Sequence, residues 1–193
     1  EPNLFSDARE AGFNATLIGW FLPYCSMIGK SLSNCSWMDA EATSLGQTMT
    51  RQVQDLLGLV PIASAYVGAS SQERSRQDRI RARELYLETL SAAKKAIADP
   101  NFGVLLVHWS VPHPPNIYDR QNDRFEIDGK SSYLDNLQLV DQALGELRRA
   151  MEDAGTWQDT IVLVTSDHCW RPEVWRPTWL WTSEDEQITK PDG

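Results

Sequence analysis

Ile161-Val162-Leu163-Val164-Thr165-Ser166-Asp167-His168 is an apolar, β-branched run that stops abruptly on a carboxylate and an imidazole. The run predicts a strand over 160–166 of the kind buried on both faces of a parallel sheet. Ligands of open α/β sheets bind outside the carboxyl ends of the strands, which is where this reading puts Asp167 and His168. One hard oxygen and one ring nitrogen on neighbouring residues suit zinc, manganese or iron better than calcium, which prefers oxygen shells. The same dipeptide also fits a turn-capping Asp beside a packed His. By itself it leaves both readings open.

Working outward, two more apolar runs predict strands. One covers 13–20, with Thr16, Leu17 and Ile18 at its centre; the other covers 102–109 around Val104-Leu105-Leu106-Val107. Helices are predicted between them. Asn3 caps a short one ending near Glu10, and Asp39 caps a second with Leu45, Met49, Val53, Leu56 and Val60 on one stripe. Ser70-Ser71-Gln72-Glu73 has capping-box spacing and is read as opening the longest helix, with Ile80, Leu87, Leu90 and Ile97 inward and Ala98 near its end. A last helix starts at Ser131 or Ser132, carries Leu134, Leu137, Val140, Leu144, Leu147 and Met151, and stops at Gly155. Strands alternating with helices predict an α/β fold, a three-layer α/β/α sandwich with a mainly parallel sheet.

The second run leads into His108-Trp109-Ser110-Val111-Pro112-His113-Pro114-Pro115. Prolines on both sides hold His113 on a stiff, irregular loop. If the strands are neighbours, His113 converges with Asp167 and His168 on one crevice. His108 reads as a packing residue at the strand end, with a second substrate contact as the alternative. Arg74, Arg76, Arg79, Arg81 and Arg83 would make a phosphate-binding face, but their spacing to Glu73, Asp78, Glu84 and Glu88 favours surface ion pairs.

Composition narrows the class. A net charge of −9 over 193 residues argues against nucleic acid as a partner. No apolar run reaches the roughly 18 residues a membrane helix needs, and Glu1-Pro2-Asn3 begins no signal-peptide pattern. Cys25 and Cys35, ten apart, are candidates for a disulfide, which would imply an oxidising compartment; two buried thiols are the alternative. Cys169 adjoins His168, but chain neighbours rarely point at each other as a nucleophile and base must. Asn14-Ala15-Thr16 and Asn34-Cys35-Ser36 match the glycosylation sequon, although Asn14 enters a strand. Residues 170–193 carry Trp170, Trp175, Trp179 and Trp181 among prolines, without periodicity. They read as a lid, a docking surface or a truncated terminus of a single domain spanning 1–193.

Taken together, Gly103-Val104-Leu105-Leu106-Val107-His108, Pro112-His113-Pro114, Tyr133-Leu134-Asp135, Val140-Asp141-Gln142-Ala143-Leu144-Gly145 and Thr165-Ser166-Asp167-His168 resemble the alkaline phosphatase/sulfatase superfamily, in its sulfatase-like branch. The resemblance implies a metal-dependent hydrolase or transferase acting on sulfate or phosphate esters. Asp167 and His168 match late metal ligands, for zinc, manganese or calcium, with His168 favouring the first two. His113 matches the loop histidine that contacts the ester. The implied reaction is in-line attack by a metal-activated Ser, Thr or modified Cys, with His113, or His108, hydrogen-bonding the transferred group or protonating the leaving oxygen. The family's early carboxylates and nucleophile motif have no counterpart here, and Cys169 replaces the glycine usual after the Asp-His pair. The expectation is therefore an incomplete domain of a larger extracytoplasmic enzyme, periplasmic, secreted or membrane-anchored, inactive by itself. The alternative is a non-catalytic sulfatase-like binding or scaffold module.

Overall fold

Strand β1 (Ala15–Trp20) is apolar on both faces because both faces are covered. In the computed structural model, which describes residues 3–38, 46, 49, 50, 52, 53, 64–99 and 103–166, β1 is the middle strand of a three-stranded sheet. Its side chains alternate between two cores. Ala15 and Leu17 pack with Phe5 and Leu32, whereas Ile18 packs with Tyr86, Leu90, Ala93, Leu139 and Ala143. This period-two alternation loads a helical layer on each side of the sheet.

Helix α1 (Leu4–Glu10) supplies Phe5 and Ala8 to the smaller core. Its cap is the predicted one: Asn3 Oδ1 accepts from the backbone N–H groups of Phe5 and Ser6, each at 3.0 Å. Two parallel strands flank β1, and the order is β2-β1-β3. Strand β3 (Val104–Val107) is the predicted one, and Gly103 is what lets it close. A Cβ there would lie 2.6 Å from the Asn14 carbonyl oxygen, the same oxygen that accepts from Val104 N at 2.7 Å.

Strand β2 (Asn34–Met38) falls where the sequence reads as loop. It is a five-residue edge strand with no apolar run; its only signal is the four-residue alternation Asn34-Cys35-Ser36-Trp37. A short helix, α2 (Tyr24–Ile28), precedes it. The Cys25–Cys35 disulfide, with Cα atoms 5.7 Å apart, ties α2 to β2.

Helix α3 (Ser64–Ile97) runs unbroken through the predicted start at Ser70. Glu73 does not cap there; it accepts from Gln77 Nε2 at 2.7 Å, one turn along the same helix. The buried face is Leu85, Tyr86, Thr89, Leu90, Ala93 and Ile97, while Leu87 of the predicted stripe is turned out. Of the arginines, Arg81 pairs with the partners read from the sequence, whereas Arg76 and Arg83 engage groups outside the helix. Arg81 meets Glu84 and Glu88 at 3.6 and 3.7 Å, Arg76 meets Asp128 at 3.7 Å, and Arg83 lies 5.1 Å over the Phe125 ring.

Between β3 and the last helix, Tyr118–Asp119 (β4) and Arg124–Phe125 (β5) form a small antiparallel hairpin. Helix α4 (Tyr133–Asp153) opens on a capping box between Ser132 and Asp135. It buries Asn136, Leu139, Ala143, Leu147 and Met151, so its inner face is rotated from the predicted stripe and Leu134 is exposed.

The chain divides into units 1–159 and 160–193. In the second unit, the described residues 160–166 form no strand, which corrects the reading of that run as a member of the sheet. Ile161 and Leu163 are 97% and 86% exposed. An apolar run specifies a strand only where a neighbouring strand completes its ladder, and none of the described strands pairs with this run. Asp167, His168, Cys169 and residues 170–193 lie outside the described residues, as does most of the helix predicted after Asp39. Among the described residues, no helix is long and apolar enough to cross a membrane.

Candidate functional site

The chain leaving β1 goes to β2 on one side, while β3 lies on the other, so the strand order reverses at the carboxyl ends of β1 and β3. Such reversals open the crevice in which α/β sheets bind ligands. Trp20 ends β1 at this point, and His108 follows β3, its N–H donating to the Ile18 carbonyl at 2.9 Å.

Two tight turns shape the β1 side. Phe21 adopts φ +66°, a left-handed conformation unusual for a bulky residue, and Leu22 and Tyr24 donate backbone hydrogen bonds to Trp20 and Leu22. The chain doubles back and lays the Tyr24 ring against Gly19. A Cβ on Gly19 would sit 2.5 Å from that ring, so the glycine makes the close approach possible. Tyr24 then reaches across to β3: its hydroxyl is 2.9 Å from His108 Nδ1, with the two rings edge-on at 88°. The adjacent Cys25–Cys35 bridge anchors this corner to β2.

On the β3 side, His113 is exposed, and its Nδ1 lies 2.7 Å from the Pro114 carbonyl oxygen. A carbonyl only accepts, so Nδ1 carries the proton and the neutral ring keeps its lone pair on Nε2. The Trp20 ring unites the two histidines, at 6.0 Å from His108 and 5.5 Å from His113. Among the described residues, three hydrogen-bonding atoms of these segments are buried without partners: the indole Nε1 of Trp20, the hydroxyl of Ser110, a residue 6% exposed, and Oδ1 of Asn116. Unmet polar atoms in a native fold call for a ligand, water or functional explanation. No Asp, Glu, Lys or Arg occurs in residues 20–24 or 108–116, the two segments that leave β1 and β3.

The shifted carboxylates lie on other elements. Asp123 is held below the usual carboxylate range by hydrogen bonds from Tyr118 and Gln142, and Asp135 by Ser132. Asp119 is lowered chiefly by Asn122. Each is engaged in hairpin or cap hydrogen bonds, which makes them structural groups.

Of the sequence-predicted site residues, the fold brings His108 and His113 together, whereas Asp167 and His168 lie outside the described residues. Trp20 and Tyr24 join the site as well; their only signal in the sequence is the aromatic-rich stretch Trp20-Phe21-Leu22-Pro23-Tyr24. Among the described residues no three His, Cys, Asp or Glu side chains gather as a metal shell. Among the described residues no carboxylate or third ligand joins His108 and His113, so these two rings alone do not make a metal centre.

No curated protein and no solved structure matches the chain. The family model described as Sulfatase matches residues 1–188. With a parallel sheet between helical layers, histidines at its carboxyl rim and a family match over nearly the whole sequence, the chain belongs to the Sulfatase family.

Proposed function

We propose that this chain works within a metal-dependent sulfatase-like hydrolase or transferase acting on sulfate or phosphate esters, with His113 as the group that meets the ester. The observation that carries this is the convergence of His113 and His108 on Trp20 at the sheet's strand-order reversal. Because Pro114 occupies Nδ1, Nε2 is the working atom of His113. In the imidazolium it donates to an ester oxygen or protonates the leaving alcohol, and in the neutral ring it accepts. His108, fixed by Tyr24, contributes a second ring to the same wall.

Asp167 and His168 would hold the divalent metal. Their donor chemistry favours zinc or manganese over calcium, and two ligands are half of a typical shell. When bound, the metal would neutralise charge on the transferred group. The sequence holds no Cys-x-Pro-x-Arg nucleophile motif, so these 193 residues alone are proposed to be inactive. The Cys25–Cys35 bridge supports an extracytoplasmic location, with the protein secreted, periplasmic or membrane-anchored.

The test is metal binding and turnover on the same preparation. Equilibrium dialysis with Zn2+ and with Mn2+ should give an affinity that falls at least about tenfold in Asp167→Ala and His168→Ala. Aryl sulfate and phosphodiester hydrolysis should be undetectable. Equal metal affinity in all three proteins would remove the metal-site reading. Turnover abolished by Asp167→Ala would overturn the proposed inactivity and identify a complete catalytic centre.

A further inference from the structure

Residues 112–115, Pro-His-Pro-Pro, present four carbonyls but only one backbone N–H, that of His113. Such a segment cannot satisfy its own acceptors, and something else must hold it. The holder is Asn136, one turn into α4 and 0% exposed. Its Nδ2 donates toward the carbonyls of Pro112, His113 and Pro115, at 3.5, 3.4 and 3.5 Å. Its Oδ1 accepts from Ile117 N at 2.9 Å, closing the far end of the loop. The one carbonyl of the four that Asn136 leaves is that of Pro114, which accepts from His113 Nδ1 at 2.7 Å.

We propose that Asn136 is a positioning residue for His113: by gathering three carbonyls of the loop it frees the fourth to fix the imidazole as the Nδ1–H tautomer, with Nε2 turned over to the site. The functional value of this device rests on the role proposed above for His113. The device itself does not. A buried amide is well suited to the task, because it offers two donors and an acceptor in one plane without bringing charge under the loop. The capping box at Ser132 and Asp135 sets the start of α4 immediately before Asn136, so the helix terminus and the loop share one anchor.

The experiment reads the His113 ring nitrogens by 15N NMR in the full chain at a pH where the ring is neutral. The wild-type protein should show Nδ1 protonated. In Asn136→Ala, with cooperative unfolding retained, the ratio of Nδ1–H to Nε2–H tautomer at His113 should fall about fivefold, the population one ordinary hydrogen bond controls. His108, held by Tyr24, should not change. If Asn136→Ala does not fold, Asn136→Asp keeps an acceptor for Ile117 N and removes the amide donor, so the same shift is expected. An unchanged His113 tautomer in either folded variant would overturn the proposal, as would equal changes at both histidines. Failure of the functional reading is seen separately, in the metal-binding and turnover measurements, which leave the tautomer untouched.

Discussion

Tyr24 and His108 lie 84 residues apart in the chain, and the tyrosine hydroxyl stands 2.9 Å from the histidine Nδ1. That bond spans the carboxyl ends of the two strands that frame the crevice, so it is both a tertiary tie and a constraint on the ring. It exists because Gly19 has no side chain: a Cβ would meet Tyr24 Cδ2 at 2.5 Å and Cε2 at 2.8 Å.

Gly19→Ala should therefore displace the Tyr24 ring and destabilise the fold by about 1–3 kcal/mol, the usual cost of an overpacked contact. Tyr24→Phe should cost about 1 kcal/mol. The two changes act on one interaction, so the double variant should lose less than the sum. Urea denaturation of all four proteins measures this, and strict additivity would show that Gly19 and Tyr24 are not coupled.

The Cys25–Cys35 bridge closes a loop with a sequence separation of 10. In the chain-entropy account a loop this short contributes roughly 3 kcal/mol. Reduction, or Cys25→Ser with Cys35→Ser, should lower stability by about that amount. Because Tyr24 adjoins Cys25, it should also broaden the His108 ring signals while sparing the buried face of α4. A melting temperature insensitive to reductant would remove this role.

The legible and illegible parts of the fold separate by mechanism. β1 and β3 could be read because each is a largely apolar run, although only β1 is covered on both faces, and α1 because the Asn3 cap announces it. β2 was harder to read, since its alternation spans only Asn34 to Trp37 and its form is completed by pairing with β1. The run at Ile161 shows the converse: β-branched composition is a capacity for pairing, and among the described residues this run joins no sheet. At the site, two prolines beside His113 marked a fixed imidazole. Tyr24 and Asn136 were silent because their roles arise from contacts 84 and 21–24 residues away. Short-range spacing carries no trace of such contacts.

Acid should act through Asp135, Asp123 and Asp119, whose carboxyls are all lowered, chiefly by hydrogen bonds from Ser132, Tyr118 and Asn122 respectively. A lowered folded-state pKa means the unfolded chain takes up the proton first. The associated stability is present above the ordinary carboxylate range and is lost as pH falls through and below it. Ser132→Ala should cost about 1 kcal/mol at neutral pH through loss of the α4 cap. It should also flatten the acid limb of a melting-temperature profile as pH falls through and below the ordinary carboxylate range. An acid limb as steep as the wild type's would dissociate Asp135 from the pH response.

Base should act through Tyr86, which is 2% exposed in the larger core and donates to the Leu139 carbonyl at a long 3.5 Å. Burial first, then the Glu146 and Tyr118 charges, push its phenol up to about 12. Below pH 10 the phenol is protonated in both states and its contribution is complete. Between about 10 and 12 the unfolded chain ionises while the folded one does not, so stability falls as pH rises. Tyr118 is raised as well, again by burial first, and adds to the same limb. Tyr86→Phe should cost under about 1 kcal/mol at neutral pH, because the hydroxyl's bond is weak and the ring contacts with Trp109 and Phe125 survive. It should nevertheless remove the larger part of the alkaline slope, as read by urea midpoints at successive pH values. If the slope is the same with phenylalanine at this position, the phenol of Tyr86 is ionising freely and the core around it is more open to water than its burial between α3 and α4 requires.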